Sequence, residues 1–502
     1  MLGRTAALGF EGSKNAQAAF DAVVSVSAEC LRQPAKLPSA NPTRSFWTHS
    51  SPDANPLARE GSHGPLTTDA DICIIGSGIS GISVAYHIAE AVGNQTILDA
   101  PLRVVILEAR DFCSGATGRN GGHLTPHTFY SFAVRQNQFG TDEAIRSSAL
   151  EERTASSLVN IIERNGWSEK VDLVSGGNVC LFFTEDEERG TRTDFECAEH
   201  AGINVDDVQW LTRDAVENSY GPPYSAIKIH GHNLWPLKLV TLLYQHAKQR
   251  TSEHFDLKLH TRTPVTSITR SSSEDSNAGS TYILSTPRGS ISCSRIVHAT
   301  NAYASHLLPS LAGPSGIIPT RGQVIATRAS AGQAPTKTNG WIANRGCEYW
   351  FPRLLRPGEE TPLVILGGGR EASGPQFELY VDDDSSINPV VGKELRKFLP
   401  AVFEGKPEHG NEPEMEWTGI MGYTATGDPF VGPVFNFSTG QKEDYEGQYI
   451  AAGYTGHGMP RAFACAEVVV QMIIAELTGT QWSRPTWFPK RYLTESRLKH
   501  RN

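Results

Sequence analysis

Apolar positions in this chain fall mostly into short unbroken runs, several of which stop at glycine or another small or polar residue. Asp71-Ile72-Cys73-Ile74-Ile75 runs straight into Gly76, and Val104-Val105-Ile106-Leu107 stops at Glu108. Ile296-Val297-His298-Ala299 stops at Thr300, and Tyr449-Ile450-Ala451-Ala452 at Gly453. Such runs, without polar alternation, suit strands covered on both faces. Residues from Ile79 to about Ala91 have helical character, so the first two runs predict a strand-turn-helix-strand unit of a parallel sheet. A further helix is predicted from about Met459 to Leu477. Residues 125–220 read as helical with polar breaks, including Glu143 to Asn165. Glu185 to Glu188 read as a solvated helix start, where the helix dipole favours acids.

Asn15 to Arg32 has helical character, whereas the Pro/Ser/Asn-rich stretch from Pro34 to Pro65 reads as an extended lead-in, so the folded part is expected to start near Thr68. The Ser-rich piece Ser271 to Ser280 reads as a loop, and Gly93 to Arg103 as an insertion between helix and strand.

Composition narrows the function. A chain of 502 residues, 39% hydrophobic, can bury a large core in more than one domain. A formal net charge of -9 gives no footprint for nucleic acid, which needs clustered Lys and Arg, so a small-molecule partner is expected. Eight cysteines are scattered singly without a Cys-x-x-Cys pair, which points to a reducing compartment and to neither a zinc site nor a disulfide framework. No apolar run is long enough to span a bilayer, and the expected location is cytoplasmic.

Gly76-Ser77-Gly78-Ile79-Ser80-Gly81 fits G-x-G-x-x-G between a strand and a helix. Gly76 permits the tight turn, Gly78 lets the backbone approach a pyrophosphate at the helix N-terminus, and Gly81 allows helix to pack on strand. Glu108 ends the second strand, where an acid accepts hydrogen bonds from ribose hydroxyls. These features fit either NAD or FAD.

From about Asp69 to Leu477 the sequence resembles the D-amino-acid oxidase and sarcosine oxidase type of FAD-dependent oxidoreductases. Four segments carry the resemblance: Ser114-Gly115-Ala116-Thr117-Gly118-Arg119-Asn120-Gly121-Gly122-His123; Arg321-Gly322-Gln323; Trp417-Thr418-Gly419 with Thr426-Gly427-Asp428-Pro429-Phe430-Val431-Gly432-Pro433; and Gly453-Tyr454-Thr455-Gly456-His457-Gly458-Met459. The resemblance implies an α/β fold: a Rossmann-like FAD-binding domain with a parallel sheet, interleaved with an α+β substrate domain on an antiparallel sheet. The expected division is a lead-in over 1–67, FAD-binding domain over 68–125, 225–312 and 410–482, substrate domain over 126–224 and 313–409, and a tail over 483–502.

Expected FAD contacts are Gly76, Gly78, Ile79, Ser80, Gly81, Glu108, Ala109, Arg110, Gly115, Thr117, Gly118, Arg119, Asn120, Gly121, Gly122, Val265, Thr300, Gly453, Gly456, His457, Gly458 and Met459. Sarcosine-oxidase relatives attach flavin through a cysteine where this chain reads Ile420-Met421-Gly422-Tyr423-Thr424, so the FAD is expected to be non-covalent. They also carry a lysine that assists oxygen reduction in a strand corresponding to Leu363–Gly367; none is present here, so the electron acceptor is oxygen or another, unknown, oxidant.

The implied reaction is oxidation of an amine or amino acid to an imine by hydride transfer from a C–H beside nitrogen. Tyr349, Trp350 and Phe351 are candidate walls, His123 and His457 candidate stabilisers of reduced flavin or proton carriers. A substrate carboxylate calls for an arginine, with Arg321, Arg345, Arg353 and Arg370 as candidates. The expected catalytic set is thus His123, His457, Tyr349 and Arg321. Asp382-Asp383-Asp384 reads as a solvated turn. Three alternatives stay open: a flavoenzyme for a larger amine-bearing metabolite, a flavin-binding protein without turnover, and an NAD-dependent dehydrogenase.

Overall fold

The structure is a computed structural model describing residues 33–92, 101–271, 282–329, 339–403 and 412–497. The expected helix Asn15 to Arg32 and, apart from Ser271, the Ser-rich loop lie outside the described residues.

The apolar runs are strands of one sheet, and their order explains their composition. From one edge it runs Phe430–Pro433, Gln448–Ala452, Gly289–His298, Asp69–Ile75, Leu102–Leu107 and Phe255–His260. Along this path neighbours are parallel except at the first edge, where Phe430–Pro433 lies antiparallel to Gln448–Ala452; off the path, Tyr282–Thr286 pairs antiparallel with Gly289–His298 and with Ser267–Arg270. Asp69–Ile75 sits in the middle, and Ile72, Ile74, Val104 and Ile106 pack into one core with helices Ile79–Val92, Pro236–Gln249 and Ala462–Leu477. The other face carries Cys73, Ile75, Val105 and Leu107. Burial on both faces is the physical reason for the runs.

A second sheet runs Met415–Tyr423, Ile318–Arg328, Leu363–Gly367, Glu348–Pro352, Gly340–Ala343, Asn178–Phe182, Ser225–Ile229 and Gln209–Leu211. Its pairs are antiparallel except Gly340–Ala343 with Asn178–Phe182. The α/β class with one parallel and one largely antiparallel sheet is as expected.

Met415–Tyr423 and Ser225–Ile229, which fall in segments expected in the FAD-binding domain, pair in the antiparallel sheet. Residues 33–67 are no loose lead-in. Phe46 and Trp47 lie on a short helix, Phe46–His49, and are buried against Trp235 and, for Trp47, Phe351. The last described residues are also docked: Phe488 and Tyr492 are fully buried, and Arg491 pairs with Asp428 at 2.9 Å.

Candidate active site

The glycine turn is fixed by contacts that leave no room for a side chain. Gly76 has φ +110°, and a Cβ there would stand 2.7 Å from Ala299 O. At Gly81 a Cβ would stand 1.9 Å from Gly76 O, which sets how closely the helix crosses the strand. Glu108 holds the turn from beneath: Oε2 accepts from Ser77 N at 2.9 Å and Ser77 Oγ at 2.8 Å, and Oε1 accepts from Arg110 N at 2.9 Å.

Above this turn lies a cavity of about 630 Å³, lined by Gly76, Gly78, Glu108, Gly115 and Thr117 at one end and by Tyr349, Arg370, Tyr423, His127 and His457 at the other. That volume is within the range of ligand pockets, about 300–1,000 Å³. Five residues of its lining have a polar atom buried without a partner: His123 Nε2, Tyr130 Oη, Thr300 Oγ1, His306 Nε2 and Arg370 Nη1. Buried polar groups need partners, so this lining calls for a polar ligand along its length. A dinucleotide on the glycine turn fits.

Two arginines bind the N-terminal strap to this site. Arg110 Nη1 donates to Asp384 Oδ1 at 2.8 Å and to Ser39 O at 3.3 Å. Arg119 donates from Nη2 to Thr43 O at 2.6 Å and from Nη1 to Thr418 O at 2.7 Å. Ser45 Oγ donates to Gly118 O, and Trp47 Nε1 to Asn120 O, both at 2.6 Å. Leu37 and Pro38 of the strap line the cavity. Asp384, expected on a solvated turn, is 1% exposed because both arginines need its charge.

At the other end, the strand Glu348–Pro352 alternates. Tyr349 faces the cavity with its ring against Gly121 and Gly367, and burial pushes its hydroxyl up to about 12. Trp350 points the opposite way into a core with Trp341 and Phe398, and Phe351 packs on Trp47, so neither is a cavity wall as expected. Arg370 Nη2 donates to Tyr423 Oη at 2.8 Å, and its guanidinium lies over the Tyr423 ring.

Of the expected FAD contacts, Gly76, Gly78, Ile79, Ser80, Glu108, Ala109, Arg110, Gly115, Thr117, Arg119, Asn120, Gly121, Val265, Thr300, Gly456, His457, Gly458 and Met459 come together on the cavity. Gly81, Gly118, Gly122 and Gly453 do not line it; a Cβ at Gly118 would meet Cys113 O and Thr48, and Gly453 N donates to Asn301 Oδ1 at 2.9 Å. Of the expected catalytic set, His123, His457 and Tyr349 line the cavity and Arg321 does not. Arg321 is taken up by Glu378 at 2.5 Å and Ser386 Oγ at 3.1 Å. Arg353 pairs with Asp172 at 2.7 Å, outside the lining, whereas Arg345 and Arg370 are within it.

His123 bonds Gly121 O through Nδ1 at 3.2 Å, leaving Nε2 buried and without a partner. Burial lowers its pKa to about 4, so it stays neutral at neutral pH. Sequence reasoning missed His127 and Tyr130, which also line the cavity, and Glu151 behind them. It missed Cys347 as well, a free thiol on the wall. Among the described residues no lysine lines the cavity, and no helix is long and apolar enough to cross a membrane.

Known proteins resemble this chain in sequence and in fold. The chain is 23% identical to a probable oxidoreductase, OrdL, of Rhizobium meliloti (strain 1021), over 82% of this chain and 85% of that protein. It is 23% identical to the gamma-glutamylputrescine oxidoreductase of Escherichia coli (strain K12), over 80% and 83% respectively. The crystal structure of glycine oxidase from Geobacillus kaustophilus superposes with a TM-score of 0.59 at 19% identity, covering 85% of this chain and 99% of the other. The sequence model described as FAD dependent oxidoreductase (DAO) matches residues 71–472. With its glycine turn, buried Glu108 and ligand-length cavity, the chain belongs to the FAD dependent oxidoreductase family and is an enzyme with FAD as its cofactor.

Proposed function

We propose that this enzyme oxidises the C–N bond of an amine or amino acid to an imine, with a substrate carboxylate held by Arg370. The observation that carries this reading is a guanidinium in the FAD cavity, anchored on one side by Tyr423 and with Nη1 buried and unpaired. An arginine stays charged at any working pH, and a carboxylate is the ligand that satisfies its free fork. Tyr349, Met421 and Ile342 give the surrounding wall its apolar character and exclude water from the substrate nitrogen. FAD, when bound, supplies the acceptor for the hydride.

The cavity residues from Gly76 to Asn120 would hold the dinucleotide without a covalent bond. All seven cysteines among the described residues are free, which supports a reducing, cytoplasmic location.

The test is to record the visible spectrum of purified protein before and after acid precipitation, then to follow anaerobic bleaching with glycine, other amino acids, simple amines and γ-glutamylputrescine. Colour released into acid and bleaching by one compound support the proposal, and readmitted air shows whether oxygen takes the electrons. Yellow protein bleached by none of the panel removes the amine reading.

A further inference from the structure

His457 has a partner that no local pattern announces. Its Nε2 lies 3.1 Å from Oε2 of Glu151, a fully buried residue in the middle of helix Thr141–Arg164. The same carboxylate accepts from Arg461 Nε at 2.8 Å and from the His127 backbone N–H at 2.7 Å. Burial alone would raise the Glu151 pKa, but His457, Arg461 and His127 outweigh it and hold the carboxyl well below the usual range.

An ionised carboxylate only accepts, so the nitrogen facing it must carry hydrogen. Neutral His457 is thereby fixed with its proton on Nε2 and a lone pair on Nδ1. His457 lines the cavity, and among the described residues Nδ1 has no hydrogen-bond partner. His127 stacks on it, ring centroids 3.7 Å apart, and Arg135 Nη2 stands 3.4 Å from His127 Nδ1.

The charged and titratable groups facing His457 are Glu151 from its helix, Arg461 ahead of Ala462–Leu477, Arg135 from Phe132–Phe139, His127 from the loop before it and His123, itself held neutral by burial. Burial and the two arginines lower the His457 pKa more than Glu151 raises it, so the ring is neutral at neutral pH. His127, Glu151 and His457 also resemble a metal-ligand set. Two guanidiniums beside them argue against a divalent cation, because fixed like charges repel strongly where water is scarce.

We propose that Glu151 is a positioning residue that presents His457 Nδ1 to the cavity as the proton acceptor for a substrate ammonium. An N–H bond of the ammonium breaks, an Nδ1–H bond forms, and the freed nitrogen lone pair is what amine oxidation requires. The imidazolium keeps its Nε2–H on Glu151, and its new proton passes to water as product leaves. This rests on the amine reading above, and its test can fail separately.

The FAD-bearing enzyme is labelled with ¹⁵N-histidine, and the His457 signal is assigned by its loss in His457→Asn. The expected wild-type pattern is protonated Nε2 and bare Nδ1. In Glu151→Gln, loss of the charge lowers the His457 protonation midpoint by about one pH unit, tenfold in the acid constant. The acid limb of the anaerobic bleaching rate, with whichever amine bleaches, moves down with it. Glu151→Asp keeps the charge and returns the midpoint most of the way.

A bare Nε2 in the wild type overturns the proposal. So does an unmoved midpoint in Glu151→Gln that still holds FAD. Should Glu151→Gln not fold, the wild-type tautomer and the Glu151→Asp midpoint decide. The expected tautomer with no bleaching by any amine overturns the acceptor role and the amine reading together, leaving only the Glu151–His457 geometry.

Discussion

The two ends of the cavity are assembled in different ways. The dinucleotide end comes mostly from one stretch, Gly76 to Asn120, joined by Thr300 and the strap. The far end draws Arg370, Tyr423, Tyr349, His127 and His457 from separate strands, loops and turns. A site made within one stretch is set by backbone geometry, and side chains there mostly have to be absent. A site made from distant segments is set by sheet register and helix packing, and side chains there have to be present and paired.

That contrast predicts different failures. The largest is Gly81→Val, whose added atoms meet Gly76 O where even a Cβ would be 1.9 Å away. The expected result is no soluble yellow protein, measured as yield and visible absorbance; normal FAD content would break the argument from close approach. Next is Trp47→Ala in the strap, where a fully buried indole also bonds Asn120 O. It should cost about 3–5 kcal/mol of stability, read as a lower melting temperature with reduced FAD content.

Arg370→Ala should be the reverse, a chemical failure in a sound fold. FAD content should stay near normal, while kcat/KM for carboxylate-bearing amines falls about 100-fold, the loss of roughly 3 kcal/mol of charged hydrogen bonding. An equal fall for amines without a carboxylate would remove the clamp.

The smallest effect concerns His230 outside the far end. It bonds Glu152 at 2.6 Å and Asp207 at 2.9 Å, and Glu152 also accepts from Thr128, beside His127. The Glu152 hydrogen bond is the chief reason its pKa rises to about 9. A folded pKa above the unfolded value, near 6.5, means its stabilisation is complete below about pH 6.5 and lost as pH rises through about 9. With His230 over a third exposed, the pair contributes less than about 1 kcal/mol. Melting temperatures of wild type and His230→Asn should therefore differ at pH 6 and converge by pH 10.

What could be read in the sequence follows the same division. The buried strands, glycine turn, Glu108 and His457 turn each carry their meaning within a few neighbours. Arg321 looked like a site arginine, but its partner Glu378 arrives through tertiary contact and consumes it. Three consecutive aspartates look solvated until Arg110 and Arg119 close on Asp384.

Trp350 could have been set aside by strand alternation once Tyr349 was placed inside. Glu151 did leave a trace. It stands on the buried stripe of its helix with Ala144, Ser147, Ser148, Thr154, Ala155 and Leu158, and an acid in the middle of such a stripe needs a buried partner. Nothing local names that partner, which lies 306 residues away.

The strap also sets a clock. Thr43 Oγ1 accepts from Thr418 N at 2.9 Å, a partner 375 residues later in the chain. At about 5–20 residues per second of synthesis, that interval is roughly 20 to 75 s. Throughout it, Phe46 and Trp47 belong to a nascent chain still lacking this partner, and the strap is among the last parts to lock.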